Sequence, residues 1–238
     1  MKKLMFGMAA ALALCGMAIE SSNIVGYGES TLKRGATMCA PMFVGIGADK
    51  DVKITDLTPT GDDIDGDGAI YLQTLDAFGR TLETYSWIDW GGDDVGWMND
   101  EYEKVDVKFT PGTALWTTAQ NAETGLRSAG EVNLLDCKVQ LRRGATGTGN
   151  VTPVQISIQD LVLEGDDIDG DGAIYIQTLD AFGRTVDTYS WIDWGGDDVG
   201  WMNDEYEKVE VTFEPGQGLW VTAQNDQTYL RFPAPEMN

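Results

Sequence analysis

This sequence predicts an all-β fold: a signal peptide followed by two tandem, duplicated small β-sandwich or β-barrel domains. Three observations carry that expectation. Residues Gly61 to Thr110 return as Gly165 to Glu214, 104 positions later, with 44 of 50 positions identical; a long internal repeat decides architecture before any local pattern does. Apolar and polar residues alternate with period 2, as half-buried strands require. Beyond the first residues no window sustains an apolar stripe at helical spacing, and 29 glycines punctuate the chain, which suits many short strands and tight turns.

Taken in chain order, the N-terminus reads as an export signal over residues 1–18. Lys2 and Lys3 form a basic start, Leu4 to Leu14 an apolar run, and Gly16-Met17-Ala18 a small-residue cleavage site. The apolar run is shorter than the roughly 20 residues that span a bilayer, and no second apolar segment follows, so membrane insertion is not expected. The expected location is secreted or cell-surface. Copy one then occupies residues 19–130 and copy two 131–238, joined around Ser128-Ala129-Gly130.

Within copy one, Ile70 to Leu75 and Thr81 to Ile88 flank Asp76-Ala77-Phe78-Gly79-Arg80 as a hairpin, with Gly79 free to take positive φ. Val105, Val107 and Phe109 alternate with Asp106 and Lys108, and Val209, Val211 and Phe213 repeat the pattern. In copy two Val154, Ile156 and Ile158 alternate with Gln155 and Ser157. The repeat also reaches outward: Leu32 to Thr37 answers to Leu141 to Thr146, and Pro111-Gly112-Thr113-Ala114-Leu115-Trp116 to Pro215-Gly216-Gln217-Gly218-Leu219-Trp220.

Removal of the signal leaves 14 basic against 39 acidic side chains, a net charge of −25. So acidic a surface repels nucleic acid and favours cations. Two cysteines remain, Cys39 and Cys137. Their neighbourhoods do not correspond between the copies, and in an oxidising compartment they could close one disulfide between the modules.

Two repeated motifs are candidate sites. Asp63, Asp65 and Asp67 stand at alternate positions before Gly68, with Ala69 offering a backbone carbonyl; Asp167, Asp169, Asp171 and Ala173 repeat the set. Alternate spacing lets three short carboxylates converge on one cation while the glycine turns the chain. The pattern resembles the calcium loops of EF-hands, dockerins and thrombospondin type 3 repeats. Position 12 departs from it, being Thr74 or Thr178 in place of a bidentate glutamate, and Asp76 and Asp180 are distant candidates for the missing ligand. Calcium is the expected cofactor, with a plain Asp/Gly turn as the alternative.

The second motif, Ser86 to Trp97, recurs as Ser190 to Trp201. Trp87, Trp90 and Trp97, with Trp191, Trp194 and Trp201, stand among carboxylates and glycines. They either form sugar-stacking platforms or pack in the core, with Trp97 and Trp116 beneath the loop. Trp90, beside two glycines, is the tryptophan expected to be exposed.

The opening Ser22-Asn23-Ile24-Val25-Gly26-Tyr27, with Tyr85-Ser86-Trp87, Tyr189-Ser190-Trp191 and Gly216-Gln217-Gly218-Leu219-Trp220, resembles a group of uncharacterised exported β-rich bacterial repeat proteins. Copy one departs with Ala114 at the second glycine. The resemblance implies export and a β fold, and no activity.

The chain contains no histidine, which excludes His-based triads, His-ligated zinc and imidazole shuttles. Pairs such as Asp89 with Asp94 or Glu101 suffice in kind for glycoside hydrolysis, yet such pairs arise by chance in so acidic a chain. A non-enzymatic protein is expected, structural or adhesive at the cell surface and calcium-stabilised. The alternative is a bivalent carbohydrate-binding protein using the tryptophan loops, and the expected partners are an extracellular polysaccharide or copies of the protein itself.

Overall fold

The computed structural model describes residues 25–61, 64–121, 123–165, 168 and 170–235; the signal segment lies outside them. Copy one comprises ten strands: β1 (Val25–Leu32), β2 (Gly35–Cys39), β3 (Val52–Lys53), β4 (Leu57–Gly61), β5 (Gly66–Leu75), β6 (Thr81–Asp89), β7 (Val95–Met98), β8 (Lys108–Phe109), β9 (Leu115–Ala119) and β10 (Thr124–Glu131). Copy two repeats them as β11 (Cys137–Leu141), β12 (Gly144–Gly149), β13 (Ile156–Ser157), β14 (Val162–Gly165), β15 (Gly170–Leu179), β16 (Thr185–Asp193), β17 (Val199–Met202), β18 (Thr212–Phe213), β19 (Gly218–Ala223) and β20 (Thr228–Phe232). Among the described residues no helix is long and apolar enough to cross a membrane.

Each copy pairs a three-stranded sheet, β1-β10-β4 or β11-β20-β14, with a five-stranded sheet, β2-β9-β5-β6-β7 or β12-β19-β15-β16-β17, and adds a two-stranded ribbon. The ladders are antiparallel. Leu32 and Leu126 from the small sheet and Ile70, Leu72, Tyr85 and Leu115 from the large one share a core with Ile54 and Phe109. Copy two builds a second core around Leu141, Ile174, Ile176, Trp201, Phe213 and Leu230. The sheets are open and face to face, so each copy is a sandwich. The alternation of Ile70 and Leu72 with Tyr71 and Gln73 fixes register, because a one-residue slip would turn both buried side chains outward. Each would lose about 1.5–3 kcal/mol of burial.

Residues 128–130, expected around the joint, lie within β10 and pair with 26–28, and 132–136 belong to no strand. Two expectations about strands are refined by the pairing. Val105 and Val107 do face the core of copy one, but regular pairing there covers only Lys108–Phe109. The reason is that the Val105 amide bonds the Trp97 carbonyl at 3.2 Å while the Val107 carbonyl accepts from Ile54 N at 2.8 Å, so two different partners hold one segment. Val154 is exposed, whereas Ile156 and Ile158 are buried; Ile158 already belongs to a 3₁₀ turn, Ile158–Asp160, which ends the alternation.

The expected disulfide is likewise absent: Cys39 and Cys137 are both free and buried. They belong to different cores, so each is consumed by packing in its own module. The Cys39 thiol donates to Thr117 Oγ1 at 3.2 Å. Burial pushes both thiols up to about 11.

The two large sheets turn their outer faces to each other. Met38, Ala40 and Ala114 form a third apolar cluster there with Leu75, Trp116, Leu179 and Trp220. Trp116 thus lies at the junction of the copies and not beneath the tryptophan loop. Reciprocal hydrogen bonds reveal a pseudo-twofold relation. Ala36 N donates to Ala181 O at 2.9 Å, and its counterpart Ala145 N donates to Ala77 O at 3.0 Å. Each hairpin tip therefore clasps the opposite copy. The symmetry breaks in side-chain size, because Gly147, Gly149 and Gly218 occupy the places that Met38, Ala40 and Ala114 hold in copy one.

Candidate functional site

The Trp-rich segment divides into a buried and an exposed part. Trp87 and Trp97 sit directly opposite across β6 and β7, their rings 5.4 Å apart and edge to face at 72°. Trp97 is 3% exposed, and its indole N–H donates to the Leu57 carbonyl at 2.7 Å, pinning the large sheet to β4 of the small one. In copy two Trp201 is fully buried, bonds Leu161 O at 3.4 Å and packs edge to face with Trp191 at 5.5 Å. As ligand-binding residues Trp97 and Trp201 are therefore corrected to core. Trp87 and Trp191 are half-buried against the same cores, and their indole nitrogens are buried without a hydrogen-bond partner among the described residues.

Trp90 is different. It follows the last residue of β6 in a tight loop held by Trp90 N to Asp94 O at 3.2 Å and by Asp94 N to Gly91 O at 3.2 Å. The Asp89 carboxylate caps that loop by accepting from Gly91 N at 3.1 Å. So short a loop leaves the ring no core to enter, and Trp90 is 56% exposed. It lies over Tyr102, ring centroids 5.5 Å apart and 28° from parallel. Trp194 over Tyr206 repeats the pair at 5.2 Å and 36°.

Sequence reasoning missed the tyrosines. Tyr102 and Tyr206 adopt φ of 60° and 61°, left-handed values that no other non-glycine among the described residues shows. Such a conformation costs of order 1–3 kcal/mol and persists only where surroundings enforce it. Here the Asn99 side chain enforces it, accepting from Glu101 N at 3.1 Å and Glu103 N at 2.8 Å. An asparagine opening a turn was the available signal. Its effect on the ring three residues later is not visible in one dimension.

The aspartate loop meets this pair. Tyr102 Oη donates to Asp67 Oδ2 at 3.0 Å, and the hydrogen bond and negative charge of Asp67 hold the phenol above its usual titration range. Asp67 opposes Ile88 in the ladder, and a bulge follows before Tyr71. Gly68, at φ 79°, makes the bulge possible. The second half of the motif is thus strand and bulge. The Ala69 carbonyl accepts from Gln120 N at 3.0 Å and the Ala173 carbonyl from Gln224 N at 3.3 Å.

As a calcium set the motif is incompletely described. Asp63, Asp167 and Asp169 lie outside the described residues, and of Asp171 only the backbone is described. Among the described residues no three acidic or sulfur side chains gather as metal ligands. Calcium takes six to eight oxygens, and copy one shows the exposed Asp65 and a second oxygen on Asp67. Asp76 and Asp180 do not complete the set. Asp76 accepts from Phe78 N, Arg80 N and Arg80 Nε at 2.7–2.9 Å, and Asp180 does the same with Phe182 and Arg184. Both sit beyond the far end of a ten-residue strand, roughly 30 Å from the loop at about 3.3 Å per residue.

The arrangement offers two flat, solvent-facing aromatic surfaces, each bordered by acceptors. No family model, curated protein or solved structure matches the chain.

Proposed function

We propose that the chain is a non-catalytic, bivalent carbohydrate-binding protein that acts as an adhesive module at the cell surface, with Trp90 and Trp194 as its sugar-stacking residues. The observation that supports it is the exposed indole held rigidly over a tyrosine in both copies. An indole exposed over half its surface loses hydrophobic stabilisation unless something covers it, and a pyranose ring offers a flat C–H face to do so. Carboxylates at Asp67 and Asp89 stand nearby to accept hydroxyl hydrogen bonds. Their fixed hydrogen bonds to Tyr102 and Gly91 mean little ordering remains when a ligand arrives.

Two equal sites on one chain raise retention on a polymer through effective concentration, without new contacts. The test is affinity electrophoresis of the chain through neutral and acidic soluble polysaccharides, wild type against Trp90→Ala/Trp194→Ala. A marked fall in retardation with an unchanged melting temperature supports the reading. Unchanged retardation, or none in wild type, defeats it. Calcium is not needed for this mechanism and is tested separately.

A further inference from the structure

The pseudo-twofold axis carries a groove that neither repeated motif predicted. It encloses about 380 Å³ where the copies meet, within the roughly 300–1,000 Å³ of small-molecule sites. Each copy contributes the same three kinds of group: Gln73, Thr81 and Trp116 from one, Gln177, Thr185 and Trp220 from the other. Alternation explains the set, since Gln73 and Trp116 pair across β5 and β9 with their side chains on the outer face, opposite to Leu72 and Leu115 in the core.

The chemistry of the lining selects a ligand class. In a chain with 39 acidic and 16 basic residues, no charged residue lines this groove. Its walls are aromatic surface, amide and hydroxyl. A cation or a carboxylate finds no counter-charge there, whereas a neutral polyol finds the solvent-facing part of the indoles for its C–H groups and amides for its hydroxyls. Most of the polar groups are uncommitted. Gln73 Nε2 donates to Thr84 Oγ1 at 3.2 Å, whereas the Gln177 amide and both indole N–H groups have no hydrogen-bond partner among the described residues.

The walls are fixed before a ligand arrives. Gly79 of one hairpin tip passes over the Trp220 ring, where a Cβ would stand 3.5 Å from it, and Gly183 covers Trp116 with a Cβ distance of 3.1 Å. Both indoles are held between the opposing tip and the apolar cluster beneath. Preorganised aromatic walls lower the ordering cost of binding.

We infer that this inter-copy groove is a third carbohydrate site, taking one neutral sugar unit of a glycan chain per protein molecule between Trp116 and Trp220. It uses none of the residues of the two loop platforms, so its fate is separable from theirs. Titration calorimetry of the full chain with a panel of neutral oligosaccharides, and with acidic ones as controls, reads it directly. In the Trp90→Ala/Trp194→Ala protein, neutral binding persists with one site per chain. Thr81→Trp and Thr185→Trp place bulk at exposed positions in the mouth, where folding does not depend on them, and lower that affinity at least tenfold with an unchanged melting temperature. Trp116→Ala lowers that affinity too, at a cost in stability, and Thr81→Trp stands in for it should that protein fail to fold. Binding unaffected by both mouth variants, equal binding of acidic ligands, or no neutral binding up to millimolar concentration in the platform-deleted protein overturns the inference. The last result leaves the platforms to be judged on their own variants.

Discussion

Adding one methyl group at Gly218 tests the packing between the copies. A Cβ there would stand 2.5 Å from Met38 Cγ, 2.6 Å from its carbonyl carbon and 2.7 Å from its carbonyl oxygen. Gly218 is not in the left-handed region, so the alanine backbone is unstrained and the cost is steric. Overpacking costs about 1–3 kcal/mol, while Gly→Ala returns about 0.4–1 kcal/mol by restricting the unfolded chain. The net loss expected for Gly218→Ala is therefore about 1 kcal/mol, with a ceiling near 2.5. If the clasped copies melt together, at about 2–4 °C per kcal/mol for a unit of this size, the melting temperature falls by about 2–10 °C. Two of the three contacts are Met38 backbone, so Met38→Ala does not restore stability in the double variant. Ala114→Gly, at the equivalent position in copy one, relieves no clash and costs about 1–2 kcal/mol, the sum of a lost buried methyl and a freer unfolded chain. Calorimetric melting of the four proteins decides it. A Gly218→Ala protein as stable as wild type, or one rescued by Met38→Ala, refutes the size-matched interface.

Other expectations follow from the same geometry. Trp97→Ala and Trp201→Ala each lower stability by about 3–5 kcal/mol, measured by denaturant unfolding, whereas Trp90→Ala and Trp194→Ala stay within about 0.5 kcal/mol. Cys39 and Cys137 resist maleimide at pH 8 until the protein is unfolded, and no disulfide forms on oxidation; mass shifts before and after denaturant read this. Because burial raises both thiols from 9.0 to about 11, their neutral forms favour the folded state fully below pH 9. That contribution is lost as pH rises towards 11, so a Cys39→Ala/Cys137→Ala protein shows a flatter decline over that window. Calcium titrated to millimolar against EDTA raises the melting temperature if the aspartate loops hold it, by linkage, and Asp65→Ala/Asp169→Ala together abolish the rise; a flat titration assigns the loops to turn structure alone.

Most of the fold was legible because its signals are local. Ile70 and Leu72 against Tyr71 and Gln73 declare a half-buried strand, Asp76 to Arg80 declare a hairpin, and identity between the copies duplicates both conclusions. The exposure of Trp90 was legible from its glycine neighbours. What was hidden depends on residues far apart in sequence. Trp116 reads like any strand tryptophan, and only the pairing of two large sheets makes it part of a groove. Cys39 and Cys137 suggested a bridge because composition cannot say that each thiol lies in a different core. Val105 and Val107 look like a strand but have two partners, which no alternation pattern records. The tyrosine beneath Trp90 depends on a strained φ at residue 102, set by an asparagine turn.

The near identity of the copies has a consequence for how the chain reaches this structure. Strands β5, β6 and β7 fall within the duplicated block and are almost interchangeable with β15, β16 and β17. Either block could dock on the other copy's partner strands, or on those of a second molecule, with nearly the same contacts. Hairpin loops of five residues close β5 on β6 and β15 on β16 early and locally. The later choice of which β9 or β19 to join is specified mainly by the diverged flanks. Crowded refolding should therefore yield exchanged dimers whose sandwiches are native in every ladder yet borrowed between chains. The reciprocal grip of the hairpin tips would hold them together once formed.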